Sequence, residues 1–249
     1  VVLGTTGESV SLSSDEKIAV TNFVKEAVNG KKPLVMGVGG NNTCFLADII
    51  KNTDLNGYDA ILSVSPYYNK PTQEGIYQHY KALSAASPLP IILYNVPGRT
   101  SSNISVDTIL RLANDFENII GVKEASGDID QIMRIIKNRP EGFLVISGDD
   151  GLTLPIIHMG GDGVISVIGQ AFPKEFSDMV RYALEGKQKA ANELHYQLYD
   201  ILDPLYCNGN PAGIKAALQV IGICSDKVRL PLVNIEKSTY QMLERLIKS

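Results

Sequence analysis

The chain has 249 residues, 44% hydrophobic and 20% charged, a length that suits one large α/β domain or two small ones with a sizeable core. Its 23 Lys+Arg against 27 Asp+Glu give a net charge of −4; no basic excess exists to neutralise a phosphate backbone, which argues against nucleic-acid binding. Apolar runs of about eight residues or fewer, broken by Gly, Pro or charge, are too short to span a bilayer. Cys44, Cys207 and Cys224 are odd in number and lack paired spacing, so a reducing, cytoplasmic setting is expected rather than a disulfide framework.

Short β-rich runs recur along the chain at Val1–Gly4, Pro33–Gly39, Ala60–Pro66, Pro90–Pro97, Ile119–Lys123, Phe143–Gly148 and Gly163–Ile168. Between them lie stretches of helical period. Asp15–Val28 carries Ile18, Phe23, Val24 and Val28 near the helical spacing, and Asp107–Asn114 and Asp130–Lys137 read the same way. Ser13-Ser14-Asp15-Glu16 and Ser105–Thr108 supply N-cap chemistry where those helices should begin. After the seventh run only helices are expected, at Pro173–Leu184, Lys189–Leu202, Pro211–Ile221 and Glu236–Lys248. Apolar strands alternating with helices predict a parallel sheet covered on both faces. Seven βα units plus a tail suggest a (β/α)₈ TIM barrel whose first strand and helix precede Val1, with a doubly wound sheet as the alternative. The expected organisation is one domain over 1–249, of which 173–249 forms a helical C-terminal region.

In such folds the chemistry gathers at the carboxyl ends of the strands. Those ends read Gly4-Thr5-Thr6-Gly7-Glu8, Pro66-Tyr67-Tyr68-Asn69-Lys70-Pro71, Tyr94-Asn95-Val96-Pro97-Gly98-Arg99-Thr100, Lys123-Glu124-Ala125-Ser126-Gly127, Gly148-Asp149-Asp150 and Ile165-Ser166. Lys123 ends an apolar strand. Partial desolvation there lowers an amine's pKa and leaves a nucleophile able to form a Schiff base with a ketone. The competing reading is a lysine that snorkels to water or pairs with Glu124. Tyr94 also ends an apolar strand, and its phenol can move protons beside an imine if Thr5, Thr6 and Tyr68 supply a hydroxyl chain. Each of these also has a packing explanation. Arg99 follows Pro97-Gly98 and can clamp a carboxylate or form a surface ion pair.

Other motifs carry less. Gly37-Val38-Gly39-Gly40 lacks dinucleotide-binding spacing and reads as a strand-end turn. Asp149-Asp150 lacks the further acids and histidines of a metal site. His79, His158 and His195 are scattered over predicted helices, and no Gly-x-Ser-x-Gly elbow is present.

GTTGE, PYYNKP, YNVPGRT, KEASG, SGDD and GVISV, in this order over essentially the whole chain, resemble the class I aldolase family of dihydrodipicolinate synthases and N-acetylneuraminate lyases. The arginine of YNVPGR points to the synthase branch. The resemblance implies a TIM barrel with a helical C-terminal region, and condensation of pyruvate with L-aspartate 4-semialdehyde to 4-hydroxy-tetrahydrodipicolinate, a lysine and diaminopimelate precursor. It places the Schiff base on Lys123 and the proton relay on Tyr94, Thr5 and Tyr68, the last donated across a dimer interface. Pyruvate-carboxylate contacts fall on Thr6 and the Ile165 backbone, Gly148 lines the pocket, and Arg99 receives the aldehyde's carboxylate. A homo-oligomer, a dimer of dimers, is implied, with no metal and no cofactor.

Two departures from the family pattern stand out. Members carry about forty further residues at the start, without which seven strands cannot close the barrel in the usual way; the chain is therefore expected to be part of a longer protein. The family's lysine-inhibition pocket maps to Ser9, Lys17, Asn41, Phe45 and Tyr67, with Lys17 and Phe45 replacing a histidine and a glutamate. An added cation and a lost carboxylate predict weak or absent inhibition by L-lysine. The alternatives are another pyruvate-dependent aldolase, such as an N-acetylneuraminate or keto-deoxy-sugar lyase, and a non-catalytic small-molecule binder on the same barrel.

Overall fold

The computed structural model describes residues 1–248. In chain order it forms α1 (Ser14–Val28), β1 (Val35–Gly37), α2 (Thr43–Asn52), β2 (Ala60–Val64), α3 (Gln73–Ala86) and β3 (Ile91–Asn95). There follow α4 (Pro97–Thr100), α5 (Val106–Asp115), β4 (Ile119–Glu124), α6 (Ile129–Asn138), β5 (Leu144–Ser147), α7 (Thr153–His158) and β6 (Gly163–Val164). The last four helices are α8 (Pro173–Leu184), α9 (Gln188–Tyr206), α10 (Ala212–Val220) and α11 (Lys237–Lys248). The six strands are parallel and lie side by side in sequence order, β1 to β6. This order is that of a (β/α)-barrel wall rather than of a doubly wound sheet, in which the strand order reverses at a switch point.

The helices start where the chain supplies caps. Ser13 and Glu16 form a capping box, with Glu16 N donating to Ser13 Oγ at 3.2 Å and Ser13 N donating to Glu16 Oε2 at 2.8 Å. Ser105 caps α5 through Thr108 N at 3.3 Å, the kind of contact worth about 1 kcal/mol. On the outer face of the sheet Ile61, Ile91, Leu93, Val122 and Val145 are fully buried against the surrounding helices. On the inner face Ala60, Leu62, Ile92, Tyr94 and Val96 make a smaller cluster that continues into the site. A separate core, with Leu154, Ile168, Met179, Leu205, Ile214 and Leu243, joins α7 to the C-terminal helices. Among the described residues no helix is long and apolar enough to cross a membrane.

Four expectations need correction. Val1–Gly4 does not form a strand: only Val2 bridges to Met36, with Val2 N donating to Val35 O at 2.8 Å and Gly37 N to Val2 O at 2.7 Å. Leu3 then takes φ 59° and turns the chain out of the sheet. Gly37 permits this approach, since a Cβ there would lie 2.4 Å from the Leu3 carbonyl oxygen. The last strand ends at Val164 because the chain coils into a 3₁₀ turn at Ile168–Gln170. On α1 the inward stripe is Thr21, Val24 and Val28, and Ile18 and Phe23 point outward, 57% and 72% exposed. Finally, α9 runs to Tyr206, through Pro204, instead of stopping at Leu202.

Candidate active site

The β3–β4 register sets Tyr94 beside Lys123 and Asn95 beside Glu124. Successive residues of a strand point to opposite faces, so one pair enters the barrel interior and the other packs outward. On the inside, Lys123 Nζ lies 4.1 Å from the centroid of the Tyr94 ring, and Lys123 is 8% exposed. Burial lowers the Lys123 ammonium to about 8, the nearby Asp150 carboxylate opposes that shift, and Arg99 adds to it. At pH 7 a base of that strength is on the order of 300 times more often neutral than an ordinary lysine. Gly148 gives the side chain room: a Cβ there would stand 2.8 Å from Lys123 Cε.

On the outside, Glu124 is fully buried and meets only donors. Asn95 Nδ2 lies 3.1 and 3.0 Å from its two oxygens, Gln131 Nε2 donates at 3.0 Å, and Ser126 N donates at 2.8 Å. Ile104 N in turn donates to Asn95 Oδ1 at 3.0 Å and fixes the amide's direction. Desolvation pushes the Glu124 carboxyl up and these hydrogen bonds pull it back. The knot ties the ends of β3 and β4 together one residue beyond the Tyr94–Lys123 pair.

The interior cavity has a volume of about 510 Å³ and is lined by Thr5, Thr6, Tyr94, Arg99, Lys123, Gly148 and Ile165 together. Seven residues expected from distant parts of the sequence thus share one wall. Thr5 approaches the Tyr94 phenol as a hydrogen-bond donor; burial raises that phenol's pKa, and Thr5 and Arg99 oppose the rise. Thr6 exchanges hydrogen bonds with the Asn210 amide, Nδ2 donating to Thr6 Oγ1 at 2.9 Å. Thr5–Gly7 forms a 3₁₀ turn closed by Glu8. Glu8 accepts from Lys215 Nζ at 3.2 Å and from Arg229 N at 2.7 Å, which anchors the turn to the C-terminal region.

Tyr68 is not in this cavity. It is 88% exposed and its backbone has φ 73°. Ser9 and Tyr67 line an adjoining cavity of about 300 Å³ that shares Thr5, Tyr94 and Arg99 with the first. Asn41 Nδ2 donates to the Tyr67 carbonyl at 3.3 Å, whereas Lys17 and Phe45 line neither cavity, and Phe45 is 60% exposed. The Asp149-Asp150 carboxylates are both occupied by main-chain donors: Gly151 N and Leu152 N on Asp149, Val167 N and Ile168 N on Asp150. His79 is buried on α3 with Nδ1 2.8 Å from Thr43 Oγ1, away from the cavity lining.

Three polar lining residues escaped the sequence reading: Gln170, Tyr206 and Asn210. Asn210 had one available signal, the Asn-Pro step that opens α10. Tyr206 was hidden by Pro204, which marked a premature end to its helix.

The family model for the dihydrodipicolinate synthetase family matches residues 1–249. The chain is 54% identical over 248 residues to 4-hydroxy-tetrahydrodipicolinate synthase of Flavobacterium psychrophilum, covering 100% of this chain and 85% of that protein. To the enzyme of the same name from Phocaeicola vulgatus it is 51% identical over 246 residues, covering 99% and 83%. Among solved structures, dihydrodipicolinate synthase from Aquifex aeolicus superposes with a TM-score of 0.96 at 40% identity, covering 99% of this chain and 84% of that one. A buried amine and phenol with a guanidinium on the wall of the same cavity, and similarity along the whole chain, lead to the same place: this chain belongs to the dihydrodipicolinate synthetase family.

Proposed function

We propose that the chain catalyses condensation of pyruvate with L-aspartate 4-semialdehyde to 4-hydroxy-tetrahydrodipicolinate, a step of lysine and diaminopimelate synthesis, through a Schiff base on Lys123. The observation that carries this reading is the buried, partly neutral Lys123 amine over the Tyr94 ring on the wall of the cavity. Lys123 Nζ adds to the pyruvate ketone carbon, and the carbinolamine loses water to give the imine. Tyr94, with Thr5 behind it, takes a proton from the methyl carbon and yields the enamine. The enamine carbon attacks the aldehyde carbon, and the oxygen takes up a proton. The amine of the second substrate then displaces Lys123, closing the ring and freeing the enzyme. Thr6 and the Ile165 backbone hold the pyruvate carboxylate beside Gly148, and Arg99 holds the carboxylate of the aldehyde.

Tyr68, exposed in one copy, is assigned to the relay of a second copy, so the working unit is a homo-oligomer, a dimer or a dimer of dimers. The sheet is assigned to the wall of a TIM barrel, with the helices from Pro173 onward as its C-terminal extension within one domain. The three cysteines are unpaired and exposed, which supports a cytoplasmic setting. Borohydride reduction with pyruvate, followed by peptide mapping, tests the reading. Label on Lys123 is the expected result, and its absence from a folded, assembled sample would overturn the assignment.

Arg99 separates the substrates. Arg99→Ala is expected to raise KM for the aldehyde by about 10- to 100-fold while pyruvate trapping persists. Equal losses for both substrates would move Arg99 out of the aldehyde subsite. For regulation, Ser9, Asn41 and Tyr67 retain polar groups near the second cavity, but Lys17 and Phe45, outside both cavities, put a cation and an apolar ring at the positions where the family pattern has a histidine and a glutamate. Millimolar L-lysine is expected to leave turnover within about twofold of its uninhibited value; a steady-state titration that abolishes activity would refute this.

A further inference from the structure

Asp150 is 2% exposed and sits behind the cavity wall. Its carboxylate accepts from Val167 N at 3.2 and 3.1 Å, from Ile168 N at 2.8 Å and from the Tyr206 hydroxyl at 2.6 Å. Every partner is a donor, so the group acts as an acceptor-only anion. Among the described residues no Lys or Arg forms an ion pair with it. A buried anion without a contact cation places its field on the nearest charges that share its low-dielectric surroundings. The cationic side chains on this cavity wall are Lys123 and Arg99.

We propose that Asp150, braced by Tyr206, is a positioning residue of this site: it supplies the buried negative charge that balances the Lys123 nitrogen whenever that nitrogen is cationic, and it holds the segment that follows Ile165. The proposal rests on the Schiff-base reading above and extends it. The nitrogen is positive as ammonium and as iminium, and neutral as free amine and as enamine. A fixed carboxylate stabilises the positive forms of both pairs, and so favours iminium formation while making the resting amine somewhat more basic. An asparagine at 150 would still accept from Val167 N and Ile168 N, so pinning the loop does not require the charge. The charge therefore needs its own explanation. Tyr206 reaches Asp150 only because α9 continues past Pro204, which makes the C-terminal region part of the catalytic wall.

The groups that act on Lys123 come from several elements: Asp150 after β5, Arg99 on α4 and the Tyr94 ring on β3. Burial lowers Lys123 most strongly and Asp150 opposes it, whereas burial and Asp150 together raise the Tyr206 phenol. Asp150→Asn therefore lowers the Lys123 titration.

The test reads Lys123 without pyruvate. The assembled protein is reductively methylated with formaldehyde and cyanoborohydride from pH 6 to 10, and modification at Lys123 is followed by peptide mapping. In Asp150→Asn, modification at pH 7 is expected to be about threefold faster, with the midpoint moved to lower pH. Turnover of pyruvate and aldehyde is expected to be about tenfold slower. A midpoint moved to lower pH in a slower enzyme is a combination that loosened packing does not produce, because hydration of Lys123 would raise its midpoint. An unchanged or raised midpoint overturns the proposal. If Asp150→Asn does not fold, Tyr206→Phe decides: it keeps the carboxylate and removes one donor, so the Lys123 midpoint must hold or rise, and a fall overturns the proposal. Failure of wild-type protein to trap pyruvate would instead refute the Schiff-base reading and leave the methylation profile to be judged by itself.

Discussion

Lys123→Ala is expected to eliminate pyruvate trapping and to lower turnover by about a thousandfold or more, because no other amine in the cavity is set up to form the imine. Lys123→Arg is the sharper variant. It keeps a cation near the Tyr94 ring and Asp150, and a guanidinium cannot condense with a ketone at neutral pH. Both variants should fold, since Lys123 contacts the Tyr94 ring face and, among the described residues, forms no ion pair with a carboxylate. The wild-type trapping rate carries a further signature. Only the neutral amine attacks, and burial holds Lys123 at about 8, so the rate rises with pH and levels off above about 8. An ordinary lysine would keep rising toward 10.5, the unperturbed value. A trapping rate still climbing steeply beyond pH 9, or label spread over surface lysines, would place the chemistry elsewhere.

The residues that share the cavity were legible because each ends an apolar strand or opens the turn after it. Tyr94, Lys123, Gly148 and Ile165 follow from that rule, since a parallel barrel sends its strand ends to one mouth. Arg99 comes from Pro97-Gly98, which start the short helix α4 directly after β3. What failed is equally physical. Val1–Gly4 has a strand's composition, but Leu3 enters the left-handed region and only Val2 stays paired. Ile18 and Phe23 have helical spacing, yet spacing does not say which face turns inward, and Thr21 took that position with its carbonyl accepting from Tyr58 Oη at 2.9 Å. Pro204 reads as a stop, although a proline late in a long helix can be carried where tertiary contacts hold the next residues. Here Tyr206 lies against Asp150 and Asn210 lies against Thr6. No strand-end rule reaches α9 or the loop after it, so the C-terminal share of the wall emerged only from the fold. Tyr68 illustrates a different limit: a tyrosine just after a strand can be turned outward by its own backbone, here with φ 73° and 88% of its surface exposed.

Tyr94→Phe is expected to lower kcat by about a hundredfold with little change in stability, the usual scale for loss of a positioned proton carrier. The argument turns on what the substitution leaves alone. The ring is 7% exposed and packs with Leu62, Ile92 and Val96, so phenylalanine keeps the inner cluster and the ring face over which Lys123 sits. Only the hydroxyl goes, and with it the contact from Thr5. Burial keeps this phenol protonated well above neutral pH, so it starts the cycle as a donor able to protonate the departing carbinolamine hydroxyl. It becomes a base only after passing its proton on, which makes the Thr5 link part of its function. Thr5→Val should therefore cost less than Tyr94→Phe, and the double variant should be no slower than Tyr94→Phe alone, because both changes break one relay. Losses that multiply would mean that Thr5 and Tyr94 act separately. Wild-type turnover in Tyr94→Phe, with the Lys123 imine still forming, would transfer the proton work to another hydroxyl, with Tyr206 the remaining phenol on the same wall.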